Sequence, residues 1–366
     1  MEIPPELITF VRDFAIFFAI YLIIALSLNL EYGYAGIPNF GKVLSVAGGA
    51  FTVAFFPGRI VAWLFGIGSA EYNGLMDYAS LEYHVAIVNE VNKVLMENPA
   101  VSLAIFFATL AVAGLVGGAL GFIASYPAIR LREDSLAIML LAMGEAIQVI
   151  GYNYTPIARG TIGALVPDPF GWAGELRYIA VALFIIGICL VTLLYVERLV
   201  RSPLGRMLRA IRDNEDVAKS LGKDVTRIRM KTIIIASMLG SIAGALDAFK
   251  SMGVISTSYH RVSWTFWPWV MVVLGGAANN MGVIVGTFVF VALRRFINYY
   301  KELLAPFLPF SVVWLDYLLL GIMLILIQMY RPEGIIREKP TPTLSYKKLE
   351  KLASLKGKKS SSKKKS

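Results

Sequence analysis

Residues 201–222 read RSPLGRMLRAIRDNEDVAKSLG and lie between two long apolar runs. Leu204, Leu208 and Ile211 recur at helical spacing among charged residues, and Gly222 supplies a stop signal. The stretch therefore predicts a short amphipathic helix outside a bilayer that the flanking runs cross. Such a helix is typical of membrane proteins that offer one face to a soluble partner, and a solvated interfacial helix would have the same periodicity.

The composition of the chain is that of a helical membrane protein. Of its 366 residues, 57% are hydrophobic and 16% are charged, and the mean hydropathy is +0.65, whereas soluble domains are about a quarter charged. We expect an all-α, polytopic integral membrane bundle of about eight to ten transmembrane helices, since each crossing needs ~20 apolar residues. The predicted apolar spans are 8–30, 43–66, 101–125, 135–154, 177–196, 230–251, 265–297 and 312–330.

Two stretches predict broken or re-entrant helices. The span 265–297 is too long for one simple crossing and is rich in Gly and Asn from Leu274 to Gly282, and residues 33–42 have the same character. Irregular backbone at membrane depth is tolerated only where protein or a water-filled cavity surrounds it. Glu145 lies inside a span, where a costly ionisable group faces either a pathway or a buried hydrogen bond between helices. The residues predicted to line a pathway through the bundle are Glu145, Asn29, Gly33, Gly36, Asn39, Gly275 and Gly276.

The distribution of Lys and Arg predicts which side of the membrane each loop occupies. The loop 197–231 has ten Lys or Arg against five acids, and Arg130 and Arg132 lie in a short loop. Residues 331–366 hold twelve Lys or Arg and three Glu, which accounts for nine of the ten net positive charges. We expect these three regions in the cytoplasm, whereas the segment 67–99, with five acids and one lysine, should face outward.

These assignments predict one membrane domain, 1–336, with a cytoplasmic loop at 197–229 and an extracytoplasmic segment at 67–99. Residues 337–366 are predicted to form a basic cytoplasmic tail, disordered because Ser and Lys dominate its end. The acidic N-terminus lacks a small-residue cleavage site, which favours a retained first span over a cleaved signal peptide.

The sequence offers no catalytic, cofactor or metal motif. Residues 36–43 nearly match the phosphate-binding loop G-x-x-x-x-G-K-[ST], but Val43 lacks the hydroxyl that binds magnesium. Cys189 is the only cysteine, and His84 and His260 are isolated. The lysine-rich end favours anionic lipid over nucleic acid as its partner. We therefore expect no enzyme activity and no cofactor in this chain, so any ATP used in transport must be hydrolysed by another chain.

A motif in the loop carries a resemblance to a known family. Glu215-x-x-Ala218-x-x-x-Gly222 matches the cytoplasmic coupling motif of the permease subunits of branched-chain amino acid ABC importers. The chain resembles the LivM-like branch of that family over roughly residues 20–336, and the similar segments keep their order. Those segments are 29–36, 126–132, 136–138, 144–145, 202–206, 210–215, 243–246, 273–276 and 331–334.

The resemblance implies that this chain is one half of a heterodimeric pore in the cytoplasmic membrane, beside a second, homologous permease. Two cytoplasmic ATPase subunits, which hold ATP and Mg, would dock on 203–222. An extracytoplasmic solute-binding protein would deliver leucine, isoleucine or valine. The coupling residues expected to meet the ATPases are Glu215, Ala218, Gly222, Arg206 and Asp213.

Two alternatives stay open at this point. Lys42 stands where the family usually has His. Related permeases carry other amino acids, urea or short amides, so other hydrophobic amino acids, urea and short amides are alternative substrates. A stand-alone ion-coupled transporter or channel is the alternative function. It would use Glu145 and Lys42 as proton or ion groups, and it predicts gradient-driven transport without an ATPase.

Overall fold

The computed structural model describes residues 5–69, 71–131, 133–300 and 313–338. Within these residues it contains thirteen α-helices and one short antiparallel sheet, in which β1 (Ala164–Leu165) pairs with β2 (Gly253–Val254). The α-helices are α1 Pro5–Leu28, α2 Val43–Phe65, α3 His84–Glu97, α4 Pro99–Arg130, α5 Glu133–Asn153, α6 Thr155–Ala158, α7 Arg177–Arg201, α8 Pro203–Asp213, α9 Glu215–Ser220, α10 Val225–Ser251, α11 Trp267–Gly275, α12 Asn280–Tyr299 and α13 Val313–Tyr330.

Seven helical stretches of the described residues are long and apolar enough to cross a membrane, which confirms the prediction of an all-α, polytopic bundle. Two shorter apolar helices, Val262–Gly275 and Gly321–Tyr330, accompany them. The seven candidate spans are Thr9–Tyr34, Val43–Phe65, Pro99–Pro127, Asp134–Asn153, Gly171–Arg201, Val225–Ser251 and Asn280–Tyr299.

The centre of the bundle is built from α2, α4 and α10, whose backbones approach closely at small residues. A Cβ atom added to Gly49 of α2 would lie 1.8 Å from the backbone oxygen of Ser241 on α10, so only glycine fits. The Ser241 hydroxyl in turn donates to the Ala113 carbonyl of α4 over 2.6 Å. Close backbone approach gains dispersion energy, the main attraction between helices in lipid, which offers them no hydrophobic drive.

The predicted span 265–297 is two helices. α11 and α12 pack against each other. The turn between them, 276–279, begins at Gly276, whose φ of 111° is a backbone conformation that favours glycine. Asn279 then caps α12, because its side-chain oxygen accepts hydrogen bonds from the amides of Met281 and Gly282. The glycine and asparagine content therefore predicted a real break, and the structure shows it as a tight helical hairpin.

The helix ends fall on two faces of the bundle. The loop face carries α8, α9 and residues 331–338. The opposite face carries α3, α6 and β1, where His84 of α3 is buried. Its Nδ1 lies 2.6 Å from the Tyr78 carbonyl and its Nε2 accepts from the Leu165 amide over 2.9 Å. Burial lowers the pKa of His84 to about 4, so the ring is neutral and joins α3 to β1.

The predicted tail falls mostly outside this description. Residues 339–366 and Arg132 lie outside the described residues. The expected basic, disordered tail and the placement of Arg132 therefore stay predictions.

Candidate functional site

Two breaks in the helices meet at the loop face. The first begins four residues before the predicted segment 33–42, as a π-helix, Asn29–Tyr34, which continues α1 and is followed by non-helical residues 35–42. The second is the turn between α11 and α12. Asn29 donates to the side-chain oxygen of Asn280 over 3.0 Å, and its own side-chain oxygen accepts from the Ala278 amide over 2.8 Å. Asn280 also donates to Glu197 at the end of α7, over 2.7 Å. We call this meeting point of residues 29–36, 275–282 and 331–338 the junction.

Glycine is needed where the parts of the junction touch. A Cβ added to Gly33 would lie 2.1 Å from the Asn29 side-chain oxygen and 2.4 Å from the Ala278 nitrogen. A Cβ on Gly275 would lie 2.1 Å from the backbone oxygen of Gly282. No larger side chain fits at either place without displacing backbone. Gly33 therefore sets the separation of the two broken segments, and Gly275 sets that of α11 and α12.

The chain that follows α13 closes the junction. The amides of Ile335 and Ile336 donate to the carbonyls of Leu274 and Gly275 over 2.9 and 3.0 Å. These bonds satisfy carbonyls at the end of α11 that have no partner within the helix. A Cβ on Gly276 would lie 2.2 Å from the Ile336 oxygen, so Gly276 also contacts this segment directly.

A fully buried ion pair lies just behind the junction. Lys42 Nζ is 3.1 Å from a carboxylate oxygen of Glu31, and neither side chain is exposed. The Asn39 side-chain amide donates to both oxygens of Glu31 over 3.1 Å, and Lys42 also donates to the Ala236 carbonyl. These bonds join the π-helix to the start of α2 and to α10. Lys42, which the ion-coupled alternative assigns to an ion path, is enclosed in this network.

Arg212 of α8 connects the loop to the junction. Its guanidinium donates to the Gly33 carbonyl over 2.6 Å and forms ion pairs with Glu338 at 3.0 Å and Asp213 at 3.1 Å. Burial alone would lower the pKa of Arg212, but the hydrogen bonds and charges of Glu338 and Asp213 raise it overall. Gly36, at a φ of 69°, packs on the stem of the same side chain. Arg212 therefore links α8 to the π-helix.

The predicted coupling residues of α8 lie at the surface of the loop face. Arg206 and Asp213 are exposed, whereas Leu208 and Ile211 are buried. The apolar stripe foreseen from the sequence thus packs on the chain itself. The charged side of α8 is the side that a partner would meet.

The remaining predicted coupling residues form α9 and its end. Glu215 forms ion pairs with Lys219 at 2.7 Å and with Arg229 at 2.8 Å. Burial alone would raise the pKa of Glu215, but these two cations lower it overall, so the side chain is a carboxylate. Ala218 is buried against the rest of the chain and packs α9 onto it. Gly222, at a φ of 73°, ends the motif with open space around it.

Two exposed apolar side chains on the loop face were missed by the sequence analysis. Val217 is 54% exposed and Leu221 is 73% exposed, one helical turn apart. Their i, i+4 spacing within a polar stretch was the available signal. Together they give α9 an apolar edge beside the Glu215 ion pairs.

Of the predicted pathway residues, Asn39 and Glu145 lie outside the junction, and Glu145 is far from it. Glu145 lies on α5 with its side chain 38% exposed, 3.3 Å from Arg261, whose side chain is 49% exposed. The structure thus brings Asn29, Gly33, Gly36, Gly275 and Gly276 together at the junction, with Asn39 beside it on the buried ion pair, and sets Glu145 apart. Whether these residues line a pathway stays a prediction. Within the described residues, no cluster of three or more metal-ligating side chains is present.

Comparison with known proteins places the chain among transport proteins. A family model described as "Branched-chain amino acid transport system / permease component" matches residues 10–328. A Methanocaldococcus jannaschii protein described as "Probable branched-chain amino acid transport permease protein LivM" is 39% identical over 336 residues, 91% of this chain and 95% of that protein.

More distant relatives carry similar descriptions. The high-affinity branched-chain amino acid transport system permease protein LivM of Salmonella typhimurium is 26% identical over 88% of this chain and 69% of its own length. A second M. jannaschii protein, described as "Probable branched-chain amino acid transport permease protein LivH", is 25% identical over 55% of this chain and 64% of its own length. No solved structure matches the chain at a significant level.

Proposed function

This chain belongs to the branched-chain amino acid transport system permease family, and we propose that it is one of two permease subunits of an ATP-driven importer in the cytoplasmic membrane. The observation that carries this proposal is the contact of Arg212 with Gly33. It joins a polar helix pair at the surface to the break in the first span. A loop that only contacts solvent would not require a hydrogen bond between Arg212 and the first span.

The proposed partners follow from the two faces of the bundle. Two ATPase subunits, which hold ATP and Mg, dock on residues 203–222, where charged side chains and the apolar edge of α9 are exposed. A second, homologous permease completes the pore, in keeping with the two M. jannaschii relatives described as LivM and LivH. A solute-binding protein docks on the opposite face.

The proposed orientation places the loop face in the cytoplasm. The loop 197–231 has twice as many Lys and Arg as acids, and residues 331–338 lie on the same face. The acidic segment 67–99 then faces outward. This orientation agrees with a cytoplasmic position for the basic tail 337–366.

The proposed cargo is leucine, isoleucine and valine, because the relatives are described as branched-chain amino acid permeases. ATP binding moves the ATPases, α8 and α9 follow them, and Arg212 transfers the movement to the π-helix and the junction. Both breaks lie where two segments can shift relative to each other. Chemistry on the cargo is not required of this chain.

The proposal is tested by purifying the tagged chain in gentle detergent, identifying what co-purifies by mass spectrometry, and reconstituting the complex in liposomes. We expect ATPases and a second permease, and amino acid uptake that requires ATP. Glu215→Ala and Gly222→Ala should reduce uptake relative to ATP hydrolysis, whereas Glu97→Ala on α3 serves as the control. A chain that purifies alone and moves solute under an ion gradient without ATP would establish the ion-coupled transporter instead. ATP-dependent uptake of urea or amides, but not of amino acids, would overturn the cargo.

A further inference from the structure

The ion pairs Glu31–Lys42 and Glu145–Arg261 differ in their exposure. Glu31 and Lys42 are fully buried, and further hydrogen bonds from Asn39 and to Ala236 surround them. Glu145 and Arg261 approach to 3.3 Å, and both side chains are more than a third exposed. The first pair is fully enclosed by protein. The second leaves most of its hydrogen-bonding capacity open, since a guanidinium has five donors and a carboxylate about four acceptor positions.

The open pair lies at bilayer depth. Glu145 is the thirteenth of the 21 residues of α5, which places it ~18 Å from one end of the helix and ~12 Å from the other at 1.5 Å per residue. Ala142 and Val149, one turn to either side on the same face, are exposed and apolar. Charges at this depth are costly in lipid and face a water-filled cavity or a bundle interior. The exposed side of the pair therefore faces the pathway between the two permeases.

The chemistry of the pair matches both ends of an amino acid. A carboxylate binds an ammonium group, and a guanidinium binds a carboxylate through two parallel hydrogen bonds. The distance between Glu145 and Arg261 is short enough for one zwitterion to contact both. His260 lies beside Arg261, with its Nε2 3.3 Å from the Ser263 hydroxyl, and adds further polar groups.

We propose that Glu145 and Arg261 form a transit site for the α-ammonium and α-carboxylate groups of the amino acid that passes through the pore. This proposal rests on the proposed importer function. The pair closes on itself when the site is empty, opens to exchange its contact for the two charges of the cargo, and re-forms on release. The apolar face at Ala142 and Val149 receives the branched side chain. The small Ala142 leaves room for it.

The first test measures transport and ATP hydrolysis separately in the complete importer reconstituted in liposomes. Glu145→Gln and Arg261→Gln each remove one charge-assisted hydrogen-bonding partner. We expect each to lower the number of leucine molecules moved per ATP by about tenfold or more, as the loss of one such contact implies. Arg261→Lys keeps the positive charge and is the matched control, with a smaller loss. ATP hydrolysis stimulated by the binding protein should persist in all three.

The second test observes the site directly. In a Cys189→Ala background, Ala142→Cys places one thiol a turn from Glu145, and Val191→Cys places one on the apolar outer face of α7. A water-soluble maleimide should label position 142 in the assembled importer and leave position 191 unlabelled. Leucine should slow the labelling at 142. Leucinamide, which lacks the carboxylate, and 4-methylpentanoic acid, which lacks the ammonium, should protect far less.

The outcomes separate the two proposals. If the wild-type importer shows no ATP-dependent uptake, the proposed function fails. If it does, and both Gln variants move as much leucine per ATP as the wild type, the transit site is wrong while the importer stands. Equal protection at position 142 by leucine and by the two single-charge analogues also refutes the site. If a Gln variant fails to assemble, the labelling at position 142 still decides the question.

Discussion

The buried pair of Glu31 and Lys42 makes the sharpest prediction about stability. Lys42→Met removes the 3.1 Å contact with Glu31 and the hydrogen bond to Ala236, and it leaves a carboxylate in a site closed to water. Breaking a buried ion pair from one side costs about 3–5 kcal/mol, because the remaining charge has lost its partner. We expect the free energy of unfolding to fall by that amount.

The double variant separates charge from shape. Glu31→Gln with Lys42→Met removes both charges, and Gln still accepts the hydrogen bond from Asn39. The double variant leaves no uncompensated charge at the site, and that charge is the main cost of breaking such a pair from one side. The double variant should therefore recover most of the stability that Lys42→Met loses, with a coupling energy of about 3 kcal/mol or more.

The assay is an SDS titration of the purified chain in mixed micelles, followed by tryptophan fluorescence. Lys93→Met, on the exposed surface of α3, is the control and should change the free energy by less than about 0.5 kcal/mol. If the double variant is as unstable as Lys42→Met, or if Lys42→Met costs under about 1 kcal/mol, the reasoning on the buried charge is refuted.

Three further predictions concern the two faces of the bundle. Arg212→Ala should lower amino acid uptake per ATP by about tenfold or more, since it removes a charge-assisted hydrogen bond to Gly33; unchanged coupling in reconstituted importer would contradict the proposed connection. Val217→Ser with Leu221→Ser should weaken ATPase binding by roughly tenfold in a direct binding assay, because exposed apolar anchors dominate interfaces; equal affinity would exclude the α9 edge from the contact. Burial lowers the pKa of His84 to about 4. Below about pH 6.5 the unfolded segment therefore binds a proton that the folded segment does not bind. The stability of α3 should fall as pH drops from 6.5 toward 4. Protease cleavage within α3 measures this, and His84→Gln should remove the pH dependence.

The sequence was sufficient to predict the spans and the breaks. Runs of apolar residues give the helices of a membrane bundle directly, and the glycine and asparagine of 274–282 marked the turn between α11 and α12. The periodicity of Leu204, Leu208 and Ile211 also predicted a helix, which is α8. The predicted helix ran on to Gly222, whereas the structure breaks it at Asn214, whose side-chain oxygen accepts from the Val217 amide and starts α9. These features depend on neighbours along the chain, which a sequence displays.

The long-range contacts that join the broken segments could not be predicted from the sequence. Asn29 and Asn280 are 251 positions apart, and Arg212 reaches Gly33 across 179 positions. No period or motif links such pairs. Glu145 was identified by its polarity within a span, but its partner Arg261 lies beyond two further spans. The sequence left open whether the apolar face of α8 binds a soluble partner. In the structure this face packs on the chain itself, and Leu208 and Ile211 are buried.

The way the junction closes sets the order in which the protein can mature. Its parts come from the first span, the hairpin of α11 and α12, and residues 331–338, so a ribosome has almost completed the membrane domain before the last part exists. Until Ile335 and Ile336 arrive, the carbonyls of Leu274 and Gly275 lack these partners. A chain that ends before residues 331–338 therefore inserts its helices but lacks the hydrogen bonds that close the junction at the loop face. The segment that holds the breaks together is therefore the last part of the junction to be synthesised.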